Sequence, residues 1–317
     1  VAMKPKRAGR LVDLAARLVA APYGHFSLTA FAEAYGAAKS SISEDLALIK
    51  RVLEASGRGT LRTFPGAAGG VRYEPWLPRP EAEAFGEALQ AEMERTERLL
   101  AGGFVYITDL LGRPDVLSRF GRLVATAYGG EEIDWILTVE TKGIPLATAV
   151  GFWLNRPVAV ARKASQITEG SVVTVSYVSG TSRRIQTMSL SRRAIPSGAR
   201  VLIVDDFLRG GGTIRGLWSL LDEFQATAAA SVVLVETPPG APRLVDGVRA
   251  AVRLTRLDAE AGVLVAEPGG LMDDYRAALE KIEGELKAEG AALVDPEGRP
   301  DDGAADAKRR ERRDAVD

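Results

Sequence analysis

Asp205 and Asp206 stand side by side at the end of an apolar run, Val201–Val204. Three consecutive glycines, Gly210, Gly211 and Gly212, follow before Thr213. A short apolar run of this kind reads as a buried strand of a parallel sheet, and ligands in such sheets bind at the carboxyl ends of the strands. Ionised carboxylates only accept hydrogen bonds, so an adjacent pair suits the two vicinal hydroxyls of a ribose. Glycines let backbone amides turn inward around an anion. Thr213 opens a helical stretch, "TIRGLWSLLDEF", whose first amides and positive dipole end would complete a phosphate cradle. A cradle beside a diol clamp reads a ribose 5-phosphate, with Phe207, Leu208 and Arg209 carried between the two.

A second strand end offers matching chemistry. "WILTV" runs into Glu140, Thr141, Lys142 and Gly143, just before a helix expected from about Ile144. Lys142 and the amides of that turn would face a diphosphate. Residues 162–193 read as a long β-hairpin with serine, glycine and arginine at its tip, and Arg162 and Lys163 at its base could reach the same diphosphate. Phe104 and Tyr106, expected to begin the first core strand, and Phe207 could stack a purine base or simply pack in the core.

These loops need a sheet to hold them. Apolar runs at 104–108, 133–139, 157–161, 199–206 and 230–237 alternate with helical segments, which predicts an α/β fold over about 104–272 with helices on both faces of a parallel sheet. A proline-rich linker, "PWLPRP" at 75–80, leads into the connecting segment 76–103, which holds a helix of about 20 residues that could join domains or pair subunits. The α/β domain as a whole is placed at 104–294. From 295 to 317 the chain has no apolar face and mixes both charge signs, so a disordered tail is expected.

Residues 1–75 have a different pattern. A helix over 10–21 ends before Pro22, a second begins near Thr29 and ends at Gly36, and a third runs from about Ser40 to Gly57. The third has serine at its cap, acids in its first turn and an apolar face of Ile42, Leu46, Ile49, Val52 and Leu53. A strand, a glycine-rich turn and a strand follow. Three helices and a hairpin form a winged helix-turn-helix, with the third helix in the major groove of DNA. Lys39, Ser40, Ser41, Ser43 and Lys50 lie on that helix, Arg58, Arg62 and Arg72 line the wing, and Lys6, Arg7 and Arg10 precede or open the first helix. These are the expected contacts to phosphates and base edges. The segment carries 11 Lys and Arg against 6 Asp and Glu, although the chain's formal net charge is −1. A basic end on an acidic body points to a polyanionic partner.

Composition narrows the classes. The chain has no cysteine and a single histidine, His25, read as a surface residue, so disulfides and the usual zinc sites are excluded. No apolar run approaches the roughly 20 residues of a membrane span, and the cytoplasm is the expected compartment.

The loop at 201–213 resembles the signature of the type I phosphoribosyltransferases, which bind phosphoribosyl pyrophosphate (PRPP). The hairpin at 162–193 resembles that family's mobile flap. Where the family commonly has threonine this chain has Gly210, which removes a hydroxyl but keeps the backbone amides and bears on catalysis more than on binding. Taken together, "GRLVDLAARL", "AKSSISEDL", "GTLRTFPGAAGGVRY", "TKGIPLA", "EGSVVTVSYVSG", "RIQTMSLS" and "VLIVDDFLRGGGTI" look like the purine operon repressor family of Gram-positive bacteria, over about residues 4–272. The resemblance implies a homodimer with an N-terminal winged helix and a phosphoribosyltransferase-fold effector domain that is not an enzyme. It implies binding to control regions of purine synthesis and transport genes, weakened by PRPP. A purine alarmone such as ppGpp, with phosphates on both sides of a ribose, is the expected competitor, and magnesium is expected with bound PRPP but no resident cofactor. A second reading, a working purine phosphoribosyltransferase with a DNA-binding arm, uses the same loop.

Overall fold

The computed structural model describes residues 6–66, 69–163, 170–178, 184–238 and 243–289 of the 317. The expected disordered tail and the tip of the hairpin lie outside the described residues. The chain divides into two compact units: Ala82–Ala278, and the flanking chain up to Glu81 and from Leu279.

In the flanking unit, helix α1 (Arg7–Ala20) is followed by strand β1 (Phe26–Ser27), helix α2 (Leu28–Tyr35), helix α3 (Lys39–Ala55) and strands β2 (Gly59–Phe64) and β3 (Gly70–Pro75). The three strands are ordered β1-β3-β2, and Arg62 stands opposite Arg72 in the β2–β3 ladder. Ser27 accepts the Ala30 amide at the start of α2, and Gly36 at φ 57° closes it, a left-handed position where glycine costs nothing. Leu14, Leu18, Phe31, Ile42, Leu46, Ile49, Leu61, Val71 and Tyr73 form the core.

Two expectations for α3 are corrected. Its cap is Ala38, with no side-chain hydrogen bond, and no acid lies in its first turn. Val52 is 60% exposed, because it sits about 90° round the axis from the Ile42–Leu46–Ile49–Leu53 stripe.

The other unit contains most of α4 (Arg79–Met93), then strands β4 (Leu99–Leu100) and β5 (Phe104–Val105), helix α5 (Pro114–Tyr128), strand β6 (Trp135–Val139), helix α6 (Gly143–Leu154) and strand β7 (Val158–Ala161). The hairpin β8 (Val172–Val178) and β9 (Ile185–Ser191) precedes β10 (Arg200–Leu208), helix α7 (Gly212–Glu223), β11 (Thr227–Glu236), β12 (Arg249–Asp258), β13 (Val263–Pro268) and helix α8 (Gly270–Ala288). Six strands make one sheet, ordered β13-β12-β11-β10-β6-β7, and only the β12–β13 pair is antiparallel. Val201, Leu202, Ile203 and Val204 of β10 are fully buried, as a strand near the middle of a covered sheet requires.

The run 104–108 is not a core strand. Only Phe104 and Val105 pair, with Leu100 and Leu99, in a separate ribbon turned by Gly102 and Gly103 at φ 80° and 70°. The helix after the linker ends at Met93, short of the expected 20 residues. The unit boundaries differ from those expected at 75/76 and 103/104: one falls inside α4 and the other inside α8, whose residues from Leu279 group with the winged helix.

Candidate functional site

Strand β10 extends through Leu208, so Asp205 and Asp206 lie within it. Asp205 is 4% exposed, and its Oδ1 accepts the Asp206 amide at 2.9 Å. Among the described residues no cation comes within ion-pair distance of either acid. Burial, followed by the charge of Asp206, raises the Asp205 carboxyl well above its ordinary range. Burial raises Asp206 also, opposed by its link to Asp205 and by the positive charges of Lys142 and Lys163. Two desolvated acids without a counterion are costly to the fold, and a ligand presenting hydroxyls or a cation would relieve them.

The glycine loop begins with Arg209 and Gly210 and feeds α7. Gly211 caps that helix at φ 80°, and the Val245 side chain fills the space a Cβ would need there. The Leu244 amide donates to the Gly210 carbonyl at 3.0 Å. Arg243, next in the chain, donates to buried Glu236 and to the Thr237 carbonyl, both at 2.8 Å. A second arginine, Arg253, also pairs with Glu236. The loop is therefore braced from behind by 243–245. Of the predicted loop residues, Leu208 is 1% exposed and belongs to the core, so its side chain is not a ligand contact. Phe207 is half-buried and paired with Val235 in the β10–β11 ladder. Thr213 lies in the first turn of α7, and the Tyr177 hydroxyl of β8 donates to Gln186 of β9 at 2.8 Å.

The second loop lies alongside. Lys142 and Thr141 are exposed at the start of α6. A Cβ on Gly143 would meet Thr138 Oγ1 and, at 2.9 Å, Asp205 Oδ1, so only glycine lets the second loop close on the acid pair. The Glu140 carboxylate accepts the Lys163 amide at 2.6 Å and Arg162 Nη1 at 3.2 Å, and so fixes the base of the hairpin. The described strands of the hairpin are docked. Tyr177 and Met188 lie on Gly216 of α7, where a side chain would not fit.

Phe104 and Tyr106, displaced from the core, are 49% and 43% exposed. The Arg209 guanidinium stands 5.2 Å from the Phe104 ring centroid, a cation–π contact that links the ribbon to the glycine loop.

In the winged-helix unit, Lys39, Ser40 and Ser43 are exposed on the first turns of α3, Ser41 is half-exposed, and Lys6 and Arg58 are exposed. Arg10 is committed elsewhere. Its Nε lies 2.6 Å from Asp45, which is fully buried and also holds Arg7 at 3.0 Å. Arg72 pairs with Glu74 and lies over the Phe64 and Tyr23 rings at 5.0 and 5.5 Å. Arg62 and Lys50 are paired with acids, Arg62 with Glu74 at 3.1 Å and Lys50 with Glu54 at 3.7 Å.

Residues 6–75 match the family model described as bacterial purine repressor, N-terminal, and residues 108–253 match the phosphoribosyl transferase domain. The purine biosynthesis transcriptional repressor PurR of Bacillus subtilis is 48% identical over 279 residues, which are 88% of this chain and 98% of the relative. The chain belongs to the bacterial purine repressor family. A further relative, the purine biosynthesis transcriptional activator PurR of Lactococcus lactis, is 38% identical over 269 residues, 85% of this chain and 99% of its own. The xanthine phosphoribosyltransferase of Heliobacterium modesticaldum is 33% identical over 152 residues, 45% of this chain and 81% of the enzyme.

For a bacterial purine repressor, the part of the site least visible in sequence is the brace behind the glycine loop. Glu236, Arg243, Leu244 and Val245 were not expected at the site. Glu236 does carry a signal: like Asp205, it is an acid ending a buried apolar run. Among the described residues no helix is long and apolar enough to cross a membrane, and no cluster of three or more His, Cys, Asp and Glu side chains could hold a metal.

Proposed function

We propose that this protein is a cytoplasmic, homodimeric transcriptional repressor of purine synthesis and transport genes, which binds operator DNA through its winged helix and releases it when PRPP occupies the acid pair and glycine loop. The observation that carries this reading is the carboxylate pair of buried Asp205 and half-buried Asp206, which has no cation at ion-pair distance among the described residues and lies beside a glycine cradle. The ribose hydroxyls would donate to these carboxylates, and the 5-phosphate would sit at the first amides of α7. Lys142 and Lys163, whose charges are felt by Asp206, would face the diphosphate. Magnesium would arrive with the diphosphate and neutralise part of its charge. A purine alarmone such as ppGpp would compete here, with its base against Phe104, Tyr106 or Phe207.

PRPP can shift DNA binding only by favouring the DNA-free form. Labelled operator is therefore titrated with protein at fixed salt, with and without PRPP and magnesium. Release by PRPP is expected, and undiminished DNA binding at saturating PRPP overturns the reading. The similarity to xanthine phosphoribosyltransferase favours a second reading, a working transferase. Incubation with PRPP, magnesium and each purine base decides this: formation of a nucleotide would make the chain an enzyme, and the repressor reading expects none.

A further inference from the structure

The last turns of α8 bring acids onto cations of the winged helix, all within the flanking unit. Arg62 Nη2 lies 2.7 Å from Glu285, and Arg62 Nη1 lies 3.8 Å from Glu289. Lys50 Nζ lies 3.0 Å from Glu289, and Arg79 Nη2 lies 3.1 Å from Glu283. Glu285 and Glu289 are one helical turn apart and so share a face. The hydrogen bond from Lys50 holds the Glu289 carboxyl below its ordinary range, and the bond to Glu285 raises Arg62. Lys50 and Arg62 remain 33% and 40% exposed, so a second anion could still approach them.

We propose that the Lys50–Arg62 face is a mutually exclusive surface, taking either the carboxylates of Glu285 and Glu289 or the phosphodiester backbone of DNA. In the state described here the end of α8 occupies it, as a built-in competitor for DNA. Carboxylate and phosphate oxygens satisfy the same N–H donors, and a cation already neutralised releases no counterion on binding DNA. The inference rests on the reading that the winged helix binds DNA.

The test uses the full chain and a labelled mixed-sequence DNA duplex, titrated over a range of salt concentrations. Glu285→Gln with Glu289→Gln should tighten binding by about three- to tenfold and steepen the dependence of log affinity on log salt by about one to two, as expected for one or two more phosphate contacts. Lys50→Gln with Arg62→Gln should cost much more affinity in that background than in the unaltered chain. Unchanged or weaker binding with an unchanged slope, or a gain that survives loss of both cations, overturns the proposal. The pair of cation variants in the unaltered chain provides a second reading should the glutamine variant fold poorly: a loss of affinity as large as that of two free phosphate contacts would also overturn it. Failure of the unaltered chain to bind any duplex at low salt would instead sink the DNA-binding reading itself.

Discussion

Asp45 and Asp205 are both buried carboxylates, yet their surroundings are opposite. Asp45, in the winged-helix unit, is clasped by Arg7 and Arg10. Among the described residues, Asp205, in the sheet unit, is hydrogen-bonded by a backbone amide and has the acid Asp206 as its neighbour, with no cation at ion-pair distance. Glu236 follows the Asp45 pattern, with Arg243 and Arg253 as partners. A buried charge that finds its counterions inside the chain serves the fold. One that finds none remains costly until something from outside arrives, and this marks the Asp205–Asp206 pair as a place for a ligand.

The sharpest test of this contrast removes the unpaired charges. Asp205→Asn with Asp206→Asn should weaken PRPP binding at least about a hundredfold, because each hydrogen bond to an ionised group contributes roughly 1.5–3 kcal/mol. DNA affinity should persist, and calorimetry with a parallel gel-shift titration reads both. Unchanged PRPP affinity would break the contrast. The same change at the paired acid should act on the fold instead. Asp45→Asn should lower unfolding free energy by about 2–3 kcal/mol, under the usual cost of breaking a buried pair because Arg7 is 61% exposed, and PRPP affinity should stay as it was. Denaturant unfolding followed from the N-terminal unit checks this.

A smaller effect is expected at the brace. Arg243→Ala frees the segment that holds Gly210 and Gly211, and should weaken PRPP binding by about three- to tenfold while leaving DNA binding alone. Equal losses of both would indicate general loosening. The gentlest probe is pH. The folded Asp205 and Asp206 carboxyls are raised above the ordinary 3.8. From that value up to their folded values, the native state keeps protons that the unfolded chain has released. Stability from this pair therefore falls as pH rises through the window, the reverse of the usual paired carboxylate. PRPP affinity should move the other way and decline on acidification, as the acceptors are protonated. Both trends should vanish in the double asparagine variant.

Much of the site was legible in local grammar. An apolar run ending in acids, then glycines, then a helix start is a sequence statement about a strand, a turn and a cradle, and β10, Gly211 and α7 follow it. The same grammar overreached at 104–108, where Gly102 and Gly103 divert the chain into a ribbon and leave Phe104 to Arg209. It also could not tell a free cation from a committed one. Arg10, Arg62 and Lys50 look alike in the chain as basic residues near a helix or wing. Their partners Asp45, Glu285 and Glu289 lie 35, 223 and 239 residues away.

By itself the sequence determined the order of elements and the chemistry offered at each strand end, because hydrophobic periodicity, glycine and acid placement act over a few residues. The tertiary structure alone decided which charges are answered. Among the described residues it left Asp205 and Asp206 without a cation at ion-pair distance, gave Asp45 and Glu236 two arginines each, and set the acids of α8 on the wing. Electrostatic pairing depends on distance in space and on burial, and neither quantity is carried by neighbours along the chain.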